Sequence, residues 1–273
     1  MRLLRGLNRS WRIFATGLSF AVFGIGGVLL TLLATPILWL GIRTPETRKR
    51  QAQRLISLGC RCFITFMRVI GILRYRVSGL EHLRRPGCLV VANHPSLIDA
   101  VFLIAFMPEV DCVVNHHLWQ NPFTGGPVRL AGYISNGAGP GLVERCRHNL
   151  QAGYRLIIFP EGTRTRPGQP LRFQRGAANI AVHAAADVVP VTLVFRESTL
   201  TKGEPWYHVP TDKIDVCITV EPPIAVQPYL RNNASKPLAA RQLTHDLYDY
   251  YTTRLARAGR LPENEPMQQS SLR

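Results

Sequence analysis

Two short clusters in this chain combine residue types that can do chemistry. In Asn93-His94-Pro95-Ser96-Leu97-Ile98-Asp99 an imidazole and a carboxylate stand five residues apart across a turn. At that separation the carboxylate can fold back onto one ring nitrogen, fix the tautomer and leave the other nitrogen as a general base. Spacing alone better fits a helix-start acid beside a surface histidine. The second cluster is Phe159-Pro160-Glu161-Gly162-Thr163-Arg164. Here Gly162 permits close backbone approach, Thr163 adds a hydroxyl, and Arg164 offers a planar fork suited to phosphate or carboxylate. Residues 144–175 hold seven arginines against Glu144 and Glu161, so the cluster fits either an anionic ligand or a solvated basic turn.

Both clusters need elements that bring them together. Each follows a short apolar run, CLVVA before Asn93 and LIIF ending in Phe159, and the first precedes the apolar stretch IDAVFLIAF. Open α/β folds place ligands where a strand's carboxyl end meets a helix start. The pattern predicts strands over Leu73–Val77, Cys88–Ala92, Cys112–Val114, Leu156–Phe159, Val188–Phe195 and Ile214–Val220. Helices are expected near Ile98–Phe106, Gly141–Ala152, Gly176–Ala185 and 238–257. Several of these strands are apolar throughout, as when both sheet faces are covered. The expected fold is therefore α/β, a mixed and largely parallel sheet flanked by helices.

Composition narrows the partners. The 273 residues carry a net charge of +16, and 46% are hydrophobic, too apolar for a mainly disordered chain. Residues 1–80 hold 13 of the 33 basic residues and one of the 17 acids, so most of the excess sits there. The same region has thirty uncharged residues from Ile13 to Ile42. A basic excess beside an apolar run points to an anionic membrane and away from nucleic acid.

The apolar run is long enough to span a bilayer and too long for a cleaved signal peptide. Arg2, Arg5, Arg9 and Arg12 precede it; Arg43, Arg48, Lys49 and Arg50 follow it. With both flanks basic, a spanning helix and a re-entrant hairpin broken near Gly24–Gly27 both fit. Over residues 50–72, Arg54, Arg61 and Arg68 recur every seven residues and read as the basic stripe of an interfacial helix. A core-packing helix with a solvated stripe fits the same pattern. This organises the chain as an anchoring helical segment over 1–72, a catalytic domain over 73–260 and a polar tail over 261–273. The six cysteines form no CxxC pair, and the other histidines show no metal spacing, so reduced thiols and no metal are expected.

Taken together, the clusters carry a resemblance. Asn93, His94 and Asp99 match an N-H-x-x-x-x-D motif, residues 159–164 match F-P-E-G-T-R, and Val188–Val191 matches an apolar motif around Pro190. In this order and spacing the chain resembles, over about residues 70–225, the PlsC-like glycerolipid acyltransferases, the 1-acyl-sn-glycerol-3-phosphate acyltransferase type. The resemblance implies direct acyl transfer. His94, oriented by Asp99, would deprotonate an acceptor hydroxyl that attacks the thioester of acyl-CoA or an acyl carrier protein. Those donors are substrates, and no cofactor is implied. Glu161, Gly162, Thr163 and Arg164 would form the acceptor head-group site. The implied location is a membrane, the bacterial inner membrane with the catalytic domain on its cytoplasmic side. One departure bears on the acceptor. The family's second motif, G-x-I-x-x-x-R, reads Gly132-Tyr133-Ile134-Ser135-Asn136-Gly137-Ala138 here, with Ala138 at the arginine position. Asn115 stands where a basic residue is often found. Either Arg129 or Arg145 would have to substitute, or the acceptor is a non-phosphate or specialised lipid, such as a lyso-ornithine-type lipid, glycolipid or polyene lipid.

Overall fold

The computed structural model describes residues 2–137, 139, 141–166, 169–197, 199–210 and 212–258. Ala138 and the expected tail 261–273 lie outside the described residues. Two helices come first, α1 (Arg2–Gly41) and α2 (Pro45–Val69). Then follow β1 (Leu73–Ser78), β2 (Leu89–Ala92), α3 (Asp99–Phe106), β3 (Val110–Val114), α4 (His116–Gln120) and α5 (Gly125–Leu130). After these come β4 (Ile134–Ser135), α6 (Gly141–Gln151), β5 (Arg155–Ile158), α7 (Gly176–Ala184), β6 (Val188–Phe195), β7 (Ile214–Val220), α8 (Gln227–Asn232) and α9 (Lys236–Ala258).

The seven strands form one sheet in the order β1-β7-β6-β2-β5-β3-β4. From β6 to β4 all neighbours are parallel; β7 runs antiparallel to β6, and β1 is parallel to β7. The expected mixed, largely parallel sheet is thus present. Side chains alternate across it. Val90 and Ala92 enter the core shared with α2 and α3, whereas Leu89 and Val91 enter the core shared with α7 and α9.

Pro190 sits inside β6, a central strand, and removes a ladder donor there. The buried hydroxyl of Tyr251, from α9, fills the gap. It accepts from the Val191 N–H at 3.1 Å and donates to the Val91 carbonyl at 2.6 Å.

Among the described residues α1 is the one helix long and apolar enough to cross a membrane, with a mean hydropathy of 2.1 in its most apolar 18-residue stretch within Asn8–Gly41. It continues unbroken through Gly24, Gly27 and Pro36, as the spanning-helix alternative requires and the hairpin alternative does not. The glycines serve close packing instead. A Cβ on Gly27 would lie 2.6 Å from the Phe123 carbonyl oxygen, and one on Gly17 would lie 3.1 Å from the Trp206 ring. Arg12, Ala15, Thr16, Ser19, Ala34 and Leu38 form a buried stripe along α1, while Phe14, Leu29, Leu32, Ile37 and Leu40 stay exposed.

The reading of α2 as an interfacial helix gives way to the core-packing alternative. Ile56, Cys60, Ile64 and Met67 are buried in the core that α3 shares. Its arginine stripe stays on the exposed side of the helix, where Arg54 pairs with Glu109 and Arg61 donates to the Ala105 carbonyl. That carbonyl belongs to the last turn of α3, where no helical donor remains and positive charge is favoured. The fully buried carboxylate of Asp111 pins α2 and α6 to β3, accepting from Lys49 Nζ at 2.9 Å, Gln53 Nε2 at 2.7 Å and Asn149 Nδ2 at 2.7 Å.

Candidate active site

The parallel strands all end on one edge of the sheet, and both sequence clusters meet there. β2 leads into Asn93, whose side chain bonds both backbone groups of Leu193 on β6, at 2.7 and 2.8 Å. Asn93 is thus a peg that fixes where β2 exits. Continuing the strand alternation, Asn93 turns toward α9 and His94 toward α3.

The His94 Nδ1 lies 2.9 Å from Asp99 Oδ2, and its imidazole is stacked on Phe159 with ring centroids 4.1 Å apart. The imidazole is 19% exposed and the Asp99 side chain is fully buried. Asp99 opens α3, and its Oδ2 also accepts the Ser96 N–H at 2.7 Å. Burial pushes the Asp99 carboxyl up to about 6, opposed chiefly by its hydrogen bond to His94. With Nδ1–H donated to Asp99, the His94 Nε2 carries the free lone pair. The helix-start position and the fold-back contact, alternatives by spacing, are both realised by one side chain.

β5 leads into the second cluster. Gly162 closes a tight turn at φ +70°, its N–H donating to the Phe159 carbonyl at 3.1 Å. Gly162 and Thr163 are exposed. Glu161 is turned inward and only 7% exposed. One of its oxygens accepts the His94 N–H at 2.7 Å, and the other accepts the Thr165 hydroxyl. Burial pushes its carboxyl up to about 7. Arg164 Nη1 donates to the Leu200 carbonyl at 2.8 Å. The Leu97 N–H donates to the same carbonyl, so both clusters converge on residue 200. Of the four expected head-group residues, two therefore face solvent and two engage protein groups.

The second-motif region lies further along the same edge. Asn136 donates through its N–H to the Val114 carbonyl and accepts from the His116 N–H at 2.9 Å. Asn115 caps α4, accepting the His117 N–H at 3.0 Å. Arg129 holds the Trp119 carbonyl at 2.7 Å, and Arg145 lines a recess with Lys49, His148 and Asn149. On the α9 side of the edge is a cleft of about 470 Å³, lined in part by Asn93, Glu161, Thr165, Leu193, Thr252 and Leu255. Sequence reasoning passed over Thr165. Its position directly after F-P-E-G-T-R was visible, but its bond to Glu161 needs the turn in three dimensions.

Comparison with known proteins places this geometry. Residues 74–194 match the family model described as Acyltransferase. A curated 1-acyl-sn-glycerol-3-phosphate acyltransferase from Pseudomonas aeruginosa is 33% identical over 138 residues, 48% of this chain and 54% of that one. One from Helicobacter pylori is 29% identical over 154 residues, 54% of this chain and 62% of that one. The match spans about half the length of these curated relatives. The crystal structure of the 1-acyl-sn-glycerophosphate (LPA) acyltransferase PlsC from Thermotoga maritima shares the fold, with a TM-score of 0.64 and 20% identity, covering 93% of this chain and 95% of that one. The His94–Asp99 pair and the Phe159–Arg164 turn thus lie together on one sheet edge, both within the residues 74–194 that match the Acyltransferase model.

Proposed function

We propose that this protein is a membrane-associated O-acyltransferase that moves an acyl chain from acyl-CoA or an acyl carrier protein to the hydroxyl of a lysophospholipid-like acceptor of the 1-acylglycerol-3-phosphate type. The observation that carries this reading is the 2.9 Å contact between His94 Nδ1 and Asp99 Oδ2, which leaves Nε2 as base. Nε2 takes the proton of the acceptor hydroxyl while its oxygen attacks the thioester carbonyl carbon. The tetrahedral adduct then collapses, the C–S bond breaks, and the leaving thiolate takes the proton back from the imidazolium. Asp99 stabilises that imidazolium without itself being protonated. No acyl-enzyme forms, consistent with the lack of a G-x-S-x-G nucleophile motif in the sequence.

In this reading residues 1–72 anchor the chain and 73–260 carry the chemistry. The exposed apolar face of α1, with Leu32, Ile37 and Leu40, meets lipid on the cytoplasmic side of a bacterial inner membrane. Gly162, Thr163 and Arg164 border the acceptor head group. A second reading keeps the chemistry and replaces the acceptor with a non-phosphate or specialised lipid. Favouring it, Arg164 and Arg129 each donate to a backbone carbonyl, so their positive charge is partly engaged.

Purified protein in lipid, given a labelled acyl donor and a panel of lysolipids, tests both. Turnover should fall by at least about 10²-fold in His94→Ala, the lower end of what a general base supplies. Equal turnover by wild type and His94→Ala would overturn the mechanism. Acylation of lysophosphatidate supports the first acceptor; acylation only of phosphate-free lysolipids supports the second.

A further inference from the structure

The bonds around the His94 backbone form a closed ring that no motif match describes. Its N–H donates to Glu161 at 2.7 Å, the other Glu161 oxygen accepts the Thr165 hydroxyl, and the Thr165 N–H donates to the His94 carbonyl at 3.1 Å. Both backbone groups of His94 are thus held by the turn that follows β5, and the same turn presents Phe159 to the imidazole face. The turn is itself fixed from behind, since the Gln174 N–H donates to the Pro160 carbonyl at 2.7 Å. Pro95 already confines His94 to extended backbone, and these bonds fix which orientation within that region it takes.

We infer that Glu161 and Thr165 are a positioning pair, which sets the place of the His94 imidazole by clamping its backbone, and that Glu161 does not act chiefly on the acceptor head group. The inference rests on the reading of His94 as general base. Its physical content is geometric. Both Glu161 oxygens are spent on protein donors, and the side chain borders the cleft on the α9 side of the sheet edge, opposite the face toward which His94 turns. Such a pair alters the chemical step, not the affinity for acceptor.

The experiment compares kcat and KM for the preferred lysolipid in Glu161→Ala, Glu161→Gln, Thr165→Val and His94→Ala, in full-length protein. A misplacement near 1 Å costs about 10²-fold, so Glu161→Ala should lose about that much in kcat, and Thr165→Val about tenfold, with KM within about twofold of wild type. Glu161→Gln should recover most of the loss, because its amide oxygen still accepts the His94 N–H and its NH₂ meets the Thr165 oxygen. Should Glu161→Ala fail to fold, Thr165→Val, which keeps its backbone N–H, carries the test. A raised KM with unchanged kcat in these variants overturns the pair and returns Glu161 to the head group. A Glu161→Gln variant as impaired as Glu161→Ala also overturns it, since charge and not hydrogen bonding would then matter. Activity retained in His94→Ala overturns the general-base reading itself, a result distinct from either.

Discussion

A single oxygen of Asp99, Oδ2, lies 2.9 Å from His94 Nδ1 and 2.7 Å from the Ser96 N–H, while Oδ1 has no partner among the described residues. Asp99 therefore holds ring and loop together through one atom. In Asp99→Asn the amide oxygen can take the place of Oδ2 and still accept both N–H groups, but the negative charge that stabilises the imidazolium is lost. We expect kcat to drop by at least about 10²-fold with little change in KM. Steady-state kinetics on the preferred lysolipid checks this, and a variant within threefold of wild type would sink it.

Glu161 links stability to pH. Its carboxyl has an ordinary value of 4.5 and is raised to about 7 in the fold, chiefly by burial. The native state thus holds this proton more tightly than the unfolded chain. The contribution is complete below about pH 4.5 and is lost as pH rises to about 7. At roughly 1.4 kcal/mol per unit the loss is on the order of 3 kcal/mol. Thermal midpoints from pH 4.5 to 8 should converge between Glu161→Gln and wild type at low pH and separate at high pH, the variant melting higher. Parallel curves would contradict this account.

Tyr251 makes a different kind of prediction. Phenylalanine there keeps the ring in its buried site but strips partners from the Val191 N–H and the Val91 carbonyl beside Pro190. Each orphaned buried group costs about 1–3 kcal/mol, so Tyr251→Phe should lower the melting temperature by several degrees. A melting temperature equal to wild type would show that the ladder closes without the hydroxyl.

The α1 glycines offer a matched pair. A Cβ on Gly27 meets the Phe123 carbonyl at 2.6 Å, whereas one on Gly26 meets nothing within 4 Å. Gly27→Ala should destabilise the detergent-solubilised protein by about 1–3 kcal/mol through forced displacement of the Phe123 loop. Gly26→Ala should be neutral or slightly stabilising, as expected for an exposed helical site. Equal melting temperatures for the two variants would mean that α1 does not seat on that loop.

Much of this architecture was legible from local pattern. The strands Val188–Phe195 and Ile214–Val220 appear with their expected bounds, because each is a long apolar or alternating run. β4, two residues long, has no pattern to detect. The His94–Asp99 contact was one of two readings that the spacing allowed, and the turn in three dimensions realises it. The arginines were harder. Arg54, Arg61 and Arg164 read as exposed charges facing lipid or ligand, yet each is turned onto a carboxylate or a backbone carbonyl. Where such a side chain points depends on which carbonyls the tertiary fold leaves unpaired, and sequence periodicity carries no trace of that. The clamp on His94 was hidden for the same reason: it joins residues 94, 161 and 165 through backbone groups that every residue possesses.

The seating of α1 also has a consequence in time. Its inner glycines receive Phe123 and Trp206, and 189 residues separate Gly17 from Trp206. At about 5–20 residues per second of synthesis, the ring that covers Gly17 emerges roughly 10–40 s after the glycine itself. A helix forms in about a microsecond, so α1 exists long before its protein neighbours do. The order of translation therefore makes the inner stripe of α1 a late-closing seam, sealed only when the chain beyond β6 has been made.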